Sequence, residues 1–324
     1  MLTFLLRTGW KKLWTLFFIS VISFAVIHLA PGEPSQIDPM NPRFTPQQLE
    51  RYRKAFDLDQ PLHVQYVLFY RKLLSGELRS FKDNHPVMPK IIERIWNSLP
   101  LFAVGTLLMW CFAFPLGVAS AIRRNSLFDQ VTTVIVFALI SVPGFYLSYL
   151  LIIFVVQNFH VDVIGLRTFG RPDTPGVLTL MDRTWHLVLP SALGATAGIA
   201  VISRYVRSQM LQVITADYVR TARAKGLEED TVLYKHALRN ALLPFVTMLG
   251  LLIPGLVGGS VIFETIFAWP GLGRLGYEAI LSRDYPIVIT LNFIAAVLTL
   301  VGTLLSDLLY MVVDPRIRLE GGEV

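Results

Sequence analysis

The residues of this sequence that could carry chemistry are few and scattered. The six histidines stand at positions 28, 63, 85, 160, 186 and 236, and the single cysteine is Cys111. They have no metal-ligand spacing, and neither His-Glu-x-x-His nor Gly-x-Ser-x-Gly occurs. A Gly-x-x-x-x-Gly-Lys phosphate loop is missing as well, so the sequence predicts no nucleotide site of its own. We therefore expect a non-catalytic chain with no metal and no cofactor.

The distribution of charge indicates which elements hold these residues. None of the 29 Lys+Arg or 23 Asp+Glu residues falls within six windows of at least 20 residues, and the next longest uncharged run has only 11. About 20 apolar residues in a helix cross the ~30 Å hydrocarbon core of a bilayer. The sequence therefore predicts an all-α, polytopic membrane protein with six transmembrane helices. The windows are 13–32, 95–122, 130–161, 184–203, 240–263 and 285–306.

The charges of the loops predict the orientation in the membrane. With the N-terminus inside, the cytoplasmic segments hold 14 basic residues and the two short outer loops hold five. Lys and Arg concentrate in short cytoplasmic loops, so both termini are expected in the cytoplasm. This asymmetry also accounts for the net charge of +6, and nucleic acid is not expected as a partner. The first helix is expected to remain uncleaved, because His28 stands where a signal-peptidase site requires a small residue.

The windows and loops divide the chain into four regions. These are the cytoplasmic N-terminus with the first transmembrane helix (1–32), an extracytoplasmic helical segment (33–94), a transmembrane core (95–312) and a cytoplasmic tail (313–324). We call the second region the outer segment. The core helices are expected at about 97–121, 131–157, 186–208, 241–263 and 286–310, with a cytoplasmic loop at 209–240. We call that loop the inner loop.

Short sequence patterns predict where helices begin, break and pack. In the outer segment, Thr45 and Gln48 form a capping-box pattern and Gly76 is typical of a helix C-terminus. Pro143-Gly144 predicts a kink or break in the third transmembrane helix. The pairs Gly194-x-x-x-Gly198 and Gly255-x-x-x-Gly259 favour close contact between helices.

The positions of acidic residues relative to the bilayer help to distinguish a self-sufficient secondary transporter or channel from other membrane proteins. Glu264 and Asp307 lie at the ends of the fifth and sixth windows, where hydration and helix-end partners favour a structural role. A self-sufficient secondary transporter or channel would need ionisable groups at mid-span or broken helices that line an ion site. The break at Pro143-Gly144 is the only such feature, so this class remains the alternative.

The inner loop has the most distinctive sequence of the chain. A helix-forming stretch starts at Asp217 and reaches Gly226, which can end it with a positive φ. The acidic run 228–230 suits the first turn of a second helix, and Lys235 and Arg239 suit its second half. The pattern predicts a helix–turn–helix outside the bilayer. The simplest alternative is an interfacial helix pair that rests on anionic lipid.

This loop resembles the cytoplasmic coupling loop of permeases from binding-protein-dependent ABC importers. The general Glu-Ala-Ala-x-x-x-Gly pattern of that group would begin at Arg220, and only Ala222 and Gly226 match it. Residues 218–227 and 236–244 are more similar to the dipeptide/oligopeptide/nickel branch. Further similar segments are 58–61, 65–66, 97–100, 186–190, 263–274, 283–286, 306–310 and 314–318.

Two segments depart from that branch. Gly32-Glu33-Pro34 stands where Gly-Asp-Pro is usual, and 76–79 reads Gly-Glu-Leu-Arg where Gly-Asp-Leu-Gly is common. Both departures lie outside the expected translocation core.

The resemblance implies a fold, a function and partners. The fold is that of a type I ABC importer permease with an outer helical subdomain after helix one, in a bacterial inner membrane. The chain would form half of a translocation pathway for peptides, with nickel or another small solute as the substrate alternative. The implied partners are a second homologous permease, two cytoplasmic ATPases that bind the ATP, and an external solute-binding protein.

The resemblance also implies which residues contact the ATPase. Ala222 and Ala224 are small enough for close docking, and Gly226 permits the reversal between the helices. The full expected set is Arg220, Thr221, Ala222, Ala224, Gly226, His236 and Asn240. No substrate-contacting residue is identified.

Overall fold

The computed structural model describes residues 2–29, 45–171, 176–258 and 260–313. Within these ranges the secondary structure is helical and no strand is formed. The helices up to the inner loop are α1 Leu2–Leu29, α2 Pro46–Ala55, α3 Leu62–Ser75, α4 Val87–Ile122, α5 Leu127–Ser141, α6 Gly144–Phe159 and α7 Val177–Ile214. Those that follow are α8 Asp217–Ala224, a π-helical segment Thr231–Ala237, α9 Leu238–Ala241, α10 Leu243–Gly258, α11 Val261–Ile266, α12 Leu272–Leu281 and α13 Tyr285–Val313. Gly32-Glu33-Pro34, Gly259 and the tail 314–324 lie outside the described residues.

Each of the six uncharged windows contains helix in its described residues, which confirms the all-α membrane fold. Four continuous spans are long and apolar enough to cross a bilayer within the described ranges. They are Thr8–Leu29, Val87–Ile122, Val177–Ile214 and Tyr285–Leu309. The third window contains α5 and α6, and the fifth contains α10, a shorter helix of 16 residues.

The third predicted transmembrane helix, 131–157, is present as a broken element. It divides into α5 and α6, which are bent by 94° at Val142-Pro143. Val142 is extended, with φ −88° and ψ 121°, because the ring of Pro143 disfavours a helical conformation at the preceding residue. The break predicted at Pro143-Gly144 is confirmed.

Other helices extend beyond their predicted boundaries. α4 begins at Val87 instead of 97, and α7 covers Val177–Ile214 instead of 186–208. A window free of charge marks only the part of a helix that suits hydrocarbon, whereas the backbone stays helical into the polar flanks. Pro100 and Pro115 lie inside α4 without ending it.

The chain forms two compact units, and the first contains the outer segment. It comprises Met1–Ser98, Ile253–Val261 and Pro270–Thr303. The predicted capping box is present, because the Thr45 side chain accepts a hydrogen bond from the Gln48 amide and the Gln48 side chain accepts one from the Thr45 amide. Gly76 ends α3 with φ 76°, as predicted.

A buried carboxylate fastens the outer segment within this unit. Asp284 is fully buried between α12 and α13, and it accepts hydrogen bonds from the Ser80 hydroxyl and, at 2.9 Å, from the Phe81 amide. Phe69 and Leu73 of α3 are buried in an apolar cluster with Phe24 of α1 and with residues of α12 and α13. The outer segment is therefore part of the core of this unit.

The second unit comprises Leu99–Leu252, Ile262–Trp269 and Leu304–Val324. Asp129, near the start of α5, receives two hydrogen bonds of 2.7 Å from the Arg207 guanidinium of α7. A buried charge needs such a paired partner, and the bidentate geometry fixes the two helices against each other.

Glycine permits close contact between α4 and α7. A Cβ atom on Gly117 would lie 2.5 Å from the Ser203 carbonyl oxygen and 2.6 Å from the Val206 Cβ. A Cβ atom on Gly198 would lie 2.5 Å from the Met109 sulfur. Gly198 thus has the packing role predicted for it, whereas Gly117 belongs to no glycine pair and was missed.

We predict that Gly117→Ala destabilises the protein by about 1–3 kcal/mol, because the new methyl group meets rigid backbone. Gly198→Ala is the matched control, since the flexible end of Met109 can move aside and the loss should be smaller. Thermal unfolding in detergent measures both. An equal melting temperature for Gly117→Ala and the wild type would contradict this packing.

Candidate functional site

The inner loop folds as two helical segments joined by a tight turn. α7 ends at Ile214, and Ala216 is extended, with φ −69° and ψ 149°, before α8 begins. Gly226 has φ 76°, so the reversal after α8 uses the left-handed conformation that the sequence predicted there. The second segment is π-helical over Thr231–Ala237 before it continues as α9, a detail that the sequence did not indicate.

An apolar cluster holds the inner loop against the helices of the second unit. The loop contributes buried side chains from both segments: Val219, Ala222, Val232 and Ala237. They pack with Val118 and Ala121 of α4, Val206 and Met210 of α7, Ala241 of α9 and Phe245 of α10. Each buried Val side chain contributes roughly 1.5–3 kcal/mol relative to exposure, and the buried alanines add less, so the loop is a fixed extension of the helices and not a tether.

An ion pair closes the turn between the two segments. The Arg223 guanidinium donates to both carboxylate oxygens of Glu229, at 2.7 and 3.0 Å. These hydrogen bonds lower the pKa of the Glu229 carboxyl and raise that of the guanidinium. Because the pair is solvent-exposed, water and salt screen it, and its effect is chiefly on the geometry of the turn.

The seven sequence-predicted residues do not form one surface. Arg220, Thr221, Ala224, Gly226 and Asn240 are exposed, whereas His236 is partly buried. The Asn240 amide donates to the His236 carbonyl at 3.0 Å. Ala222 is only 8% exposed and faces the chain's own apolar cluster. The argument that its small size suits docking therefore applies to Ala224, whereas Ala222 is small because α8 packs closely at that point.

Sequence reasoning missed three exposed apolar residues of the inner loop. Tyr218, Leu227 and Tyr234 are 44%, 41% and 54% exposed, in a loop that is otherwise rich in charge. Their signal in the sequence was the presence of large apolar residues in a polar, extramembrane segment. Exposed aromatic residues beside basic ones are typical of protein-binding surfaces.

Two protein-family models match nearly the whole chain. Residues 113–319 match the model of the family described as binding-protein-dependent transport system inner membrane component. Residues 1–101 match the N-terminal part described for such membrane components.

Several curated relatives extend over the full chain. The oligopeptide transport system permease protein AppB of Bacillus subtilis is 38% identical over 321 residues, which cover 98% of this chain and 100% of the relative. The dipeptide transport system permease protein DppB of Escherichia coli K12 is 34% identical over 336 residues, with 98% and 99% covered. The glutathione transport system permease protein GsiC of Salmonella typhi is 35% identical over 319 residues, with 98% and 99% covered.

A solved structure shows the same fold. A chain of the MetNI methionine ABC transporter in an inward-facing conformation aligns with a TM-score of 0.54 and 20% identity. The alignment covers 70% of this chain and 97% of that chain. This likeness supports the permease fold expected from the sequence.

We predict that Gly226→Val destabilises the turn by about 1 kcal/mol or more, because a β-branched residue is strained at positive φ. Apart from the two chain neighbours, no atom of the described residues lies within 4 Å of the added Cβ, so the expected effect comes from the backbone conformation. Gly226→Asn is the matched control, since Asn tolerates the left-handed region. Hydrogen exchange of the amides in 217–240 should rise in the Val variant and change little in the Asn variant. Equal exchange in all three proteins would contradict this.

Proposed function

This chain belongs to the family of binding-protein-dependent transport system inner membrane components, and on that basis we propose that it is a permease subunit of an ATP-driven importer. It would form half of the translocation pathway for peptides. The observation that carries the proposal is the chain-long similarity to permeases named for oligopeptide and dipeptide transport. A relative named for glutathione supports a peptide-like substrate more than nickel.

The proposal includes a division of labour between subunits. The sequence has no phosphate loop, so two cytoplasmic ATPases would bind and hydrolyse ATP while this chain remains non-catalytic. A second homologous permease would complete the pathway, and a solute-binding protein would deliver the substrate from outside. Both termini would lie in the cytoplasm of a bacterial-type inner membrane, as the 14 to five split of loop charges indicates.

The inner loop is the element that we propose for contact with the ATPase. A contact that transmits force must be rigid and joined to the helices that move, and the apolar cluster provides this by uniting the loop with α4, α7 and α10. Its solvent-facing side presents Ala224 beside exposed basic residues, together with Tyr218, Leu227 and Tyr234. A lipid-facing helix pair is the competing role for the same surface.

The outer segment is the element that we propose for contact with the binding protein. α3 presents Val67 and Leu74 seven residues apart on one face, and Leu74 is 84% exposed. An exposed apolar stripe outside the hydrocarbon suits a protein partner. A point substitution on this face tests the contact better than deletion of 45–76, because the deletion would also remove Phe69 and Leu73 from the core of the first unit.

Uptake measurements test the proposed function as a whole. Cells that carry this chain and its partners should accumulate a radiolabelled dipeptide or oligopeptide, and depletion of ATP should stop accumulation. Uptake that continues without ATP, in a chain that co-purifies with no ATPase, would favour a self-sufficient secondary transporter. Uptake of Ni²⁺ with no competition by peptides would favour the metal as substrate.

We predict that Ala224→Trp abolishes uptake and reduces co-purification of the ATPase, because a large side chain would hold the docking surfaces apart. Leu127→Trp is the control and should keep uptake. Leu127 is exposed next to the loop between α4 and α5, which is predicted on the same side of the membrane as the inner loop. Ala222→Trp should instead disrupt the loop itself, which hydrogen exchange would detect. Wild-type uptake by Ala224→Trp would leave the ATPase contact without support.

We predict that Leu74→Asp weakens docking of the solute-binding protein while the permease complex still assembles, because the side chain is not part of the core. Leu73→Ala, one residue earlier, should cost about 2–5 kcal/mol and impair assembly, because Leu73 is buried. Affinity of the purified complex for the binding protein and recovery of the complex measure the two effects. Normal docking by Leu74→Asp would exclude this face of α3.

A further inference from the structure

A basic cavity lies between α5 and α7. Its volume is about 510 Å³. Three guanidinium groups line it together with hydroxyl and amide groups, and none of the described lining residues carries a carboxylate. The polar side chains of the lining are Arg124, Arg204, Arg207, Thr133, Ser208, Gln212 and Thr215.

The three arginines are held differently. Arg207 is committed to Asp129 through two hydrogen bonds of 2.7 Å. The Arg204 guanidinium lies 4.2 Å from the centre of the Phe137 ring, a cation–π contact that fixes its position, and within the described ranges it forms no ion pair with a carboxylate. Arg124 is exposed in the loop between α4 and α5. Only Arg207 of the three is paired with a carboxylate among the described residues, so the cavity has an excess of positive charge.

The cavity lies at the level where a membrane surface is expected. Arg204 is the first charged residue after the uncharged window 184–203, and Arg124 is the second after window 95–122. The neighbouring helix surface is apolar and exposed, at Val134 beside Thr133 and at Val201 one turn before Arg204. Hydrophobic surface next to a cluster of guanidinium groups matches a molecule with an anionic head and a hydrocarbon tail.

We propose that this cavity binds the phosphate head group of an anionic phospholipid. Guanidinium groups bind phosphate oxygens through paired hydrogen bonds, and the hydroxyl and amide groups of Thr133, Ser208 and Gln212 suit the remaining oxygens. Basic pockets between transmembrane helices on the cytoplasmic side are suited to such head groups. Assignment to the inner leaflet rests on the proposed orientation. The lipid would brace α5 against α7 beside the Asp129–Arg207 pair.

The test uses the purified full-length chain, with the subunits that co-purify with it, in nanodiscs of equal phosphatidylglycerol and phosphatidylcholine. Mass spectrometry measures how much of each lipid remains bound after mild detergent extraction. The double variant Arg124→Gln/Arg204→Gln should lower the preference for phosphatidylglycerol by roughly tenfold or more. Arg123→Gln is the matched control, because Arg123 lies over the Phe128 ring and does not line the cavity, and it should keep the wild-type preference.

Each other outcome contradicts the proposal. An unchanged preference in the double variant would exclude the site. Displacement of phosphatidylglycerol by inorganic phosphate would assign the cavity to a soluble anion, and loss of the second permease with unchanged lipid would assign it to a subunit interface. If the double variant unfolds, Arg124→Gln alone is used, since its side chain is exposed. Both leaflets of the nanodisc have the same composition, so the result does not depend on the proposed orientation, and peptide uptake tests the proposed function separately.

Discussion

Hydrocarbon cannot hydrogen-bond, and this constraint determines most of the structure. Backbone groups in a bilayer must be satisfied within the chain, which leaves helices as the spanning elements here. Charged side chains are correspondingly confined to the helix ends, where they need partners. Two buried carboxylates are satisfied in this way. Asp129 of the second unit pairs with Arg207, and Asp284 of the first unit accepts hydrogen bonds from Ser80 and Phe81. The fixed ends of the helices are therefore the places where polar contacts determine packing.

Close packing between helices supports the same ends. α4 approaches α7 at Gly117, where even one methyl group would meet backbone, and the apolar cluster of the inner loop lies beside that contact along both helices. The loop is consequently built beside a region of the second unit where α4 and α7 are closely packed. A rigid surface of this kind is suited to transmit a displacement from a partner into the membrane, whereas a loop attached only through its ends would absorb it.

The chain supplies positions and surfaces rather than reactive groups. Among the described residues no cluster of His, Cys, Asp or Glu is arranged to hold a metal ion. What distinguishes the molecule instead is the placement of exposed apolar side chains outside the apolar windows, on α3 and on the inner loop, and of excess positive charge between α5 and α7. Each of these features needs a partner or a lipid to be understood, as expected for one subunit of a membrane complex.

The sequence alone determined the helical class, the six windows, the break at Pro143 and the conformations at Thr45, Gly76 and Gly226. These features follow from local rules, because hydrocarbon excludes charge and because proline and glycine restrict or extend the backbone near their own position. Tertiary structure decided which side of α8 is available. Ala222 and Ala224 are chemically identical in the sequence, but they lie on different sides of α8. Only Ala222 is buried in the apolar cluster, whereas Ala224 is exposed. Likewise, the close approach at Gly117 and the pairing of Asp129 with Arg207 join residues far apart in the chain, so they exist only once the helices pack.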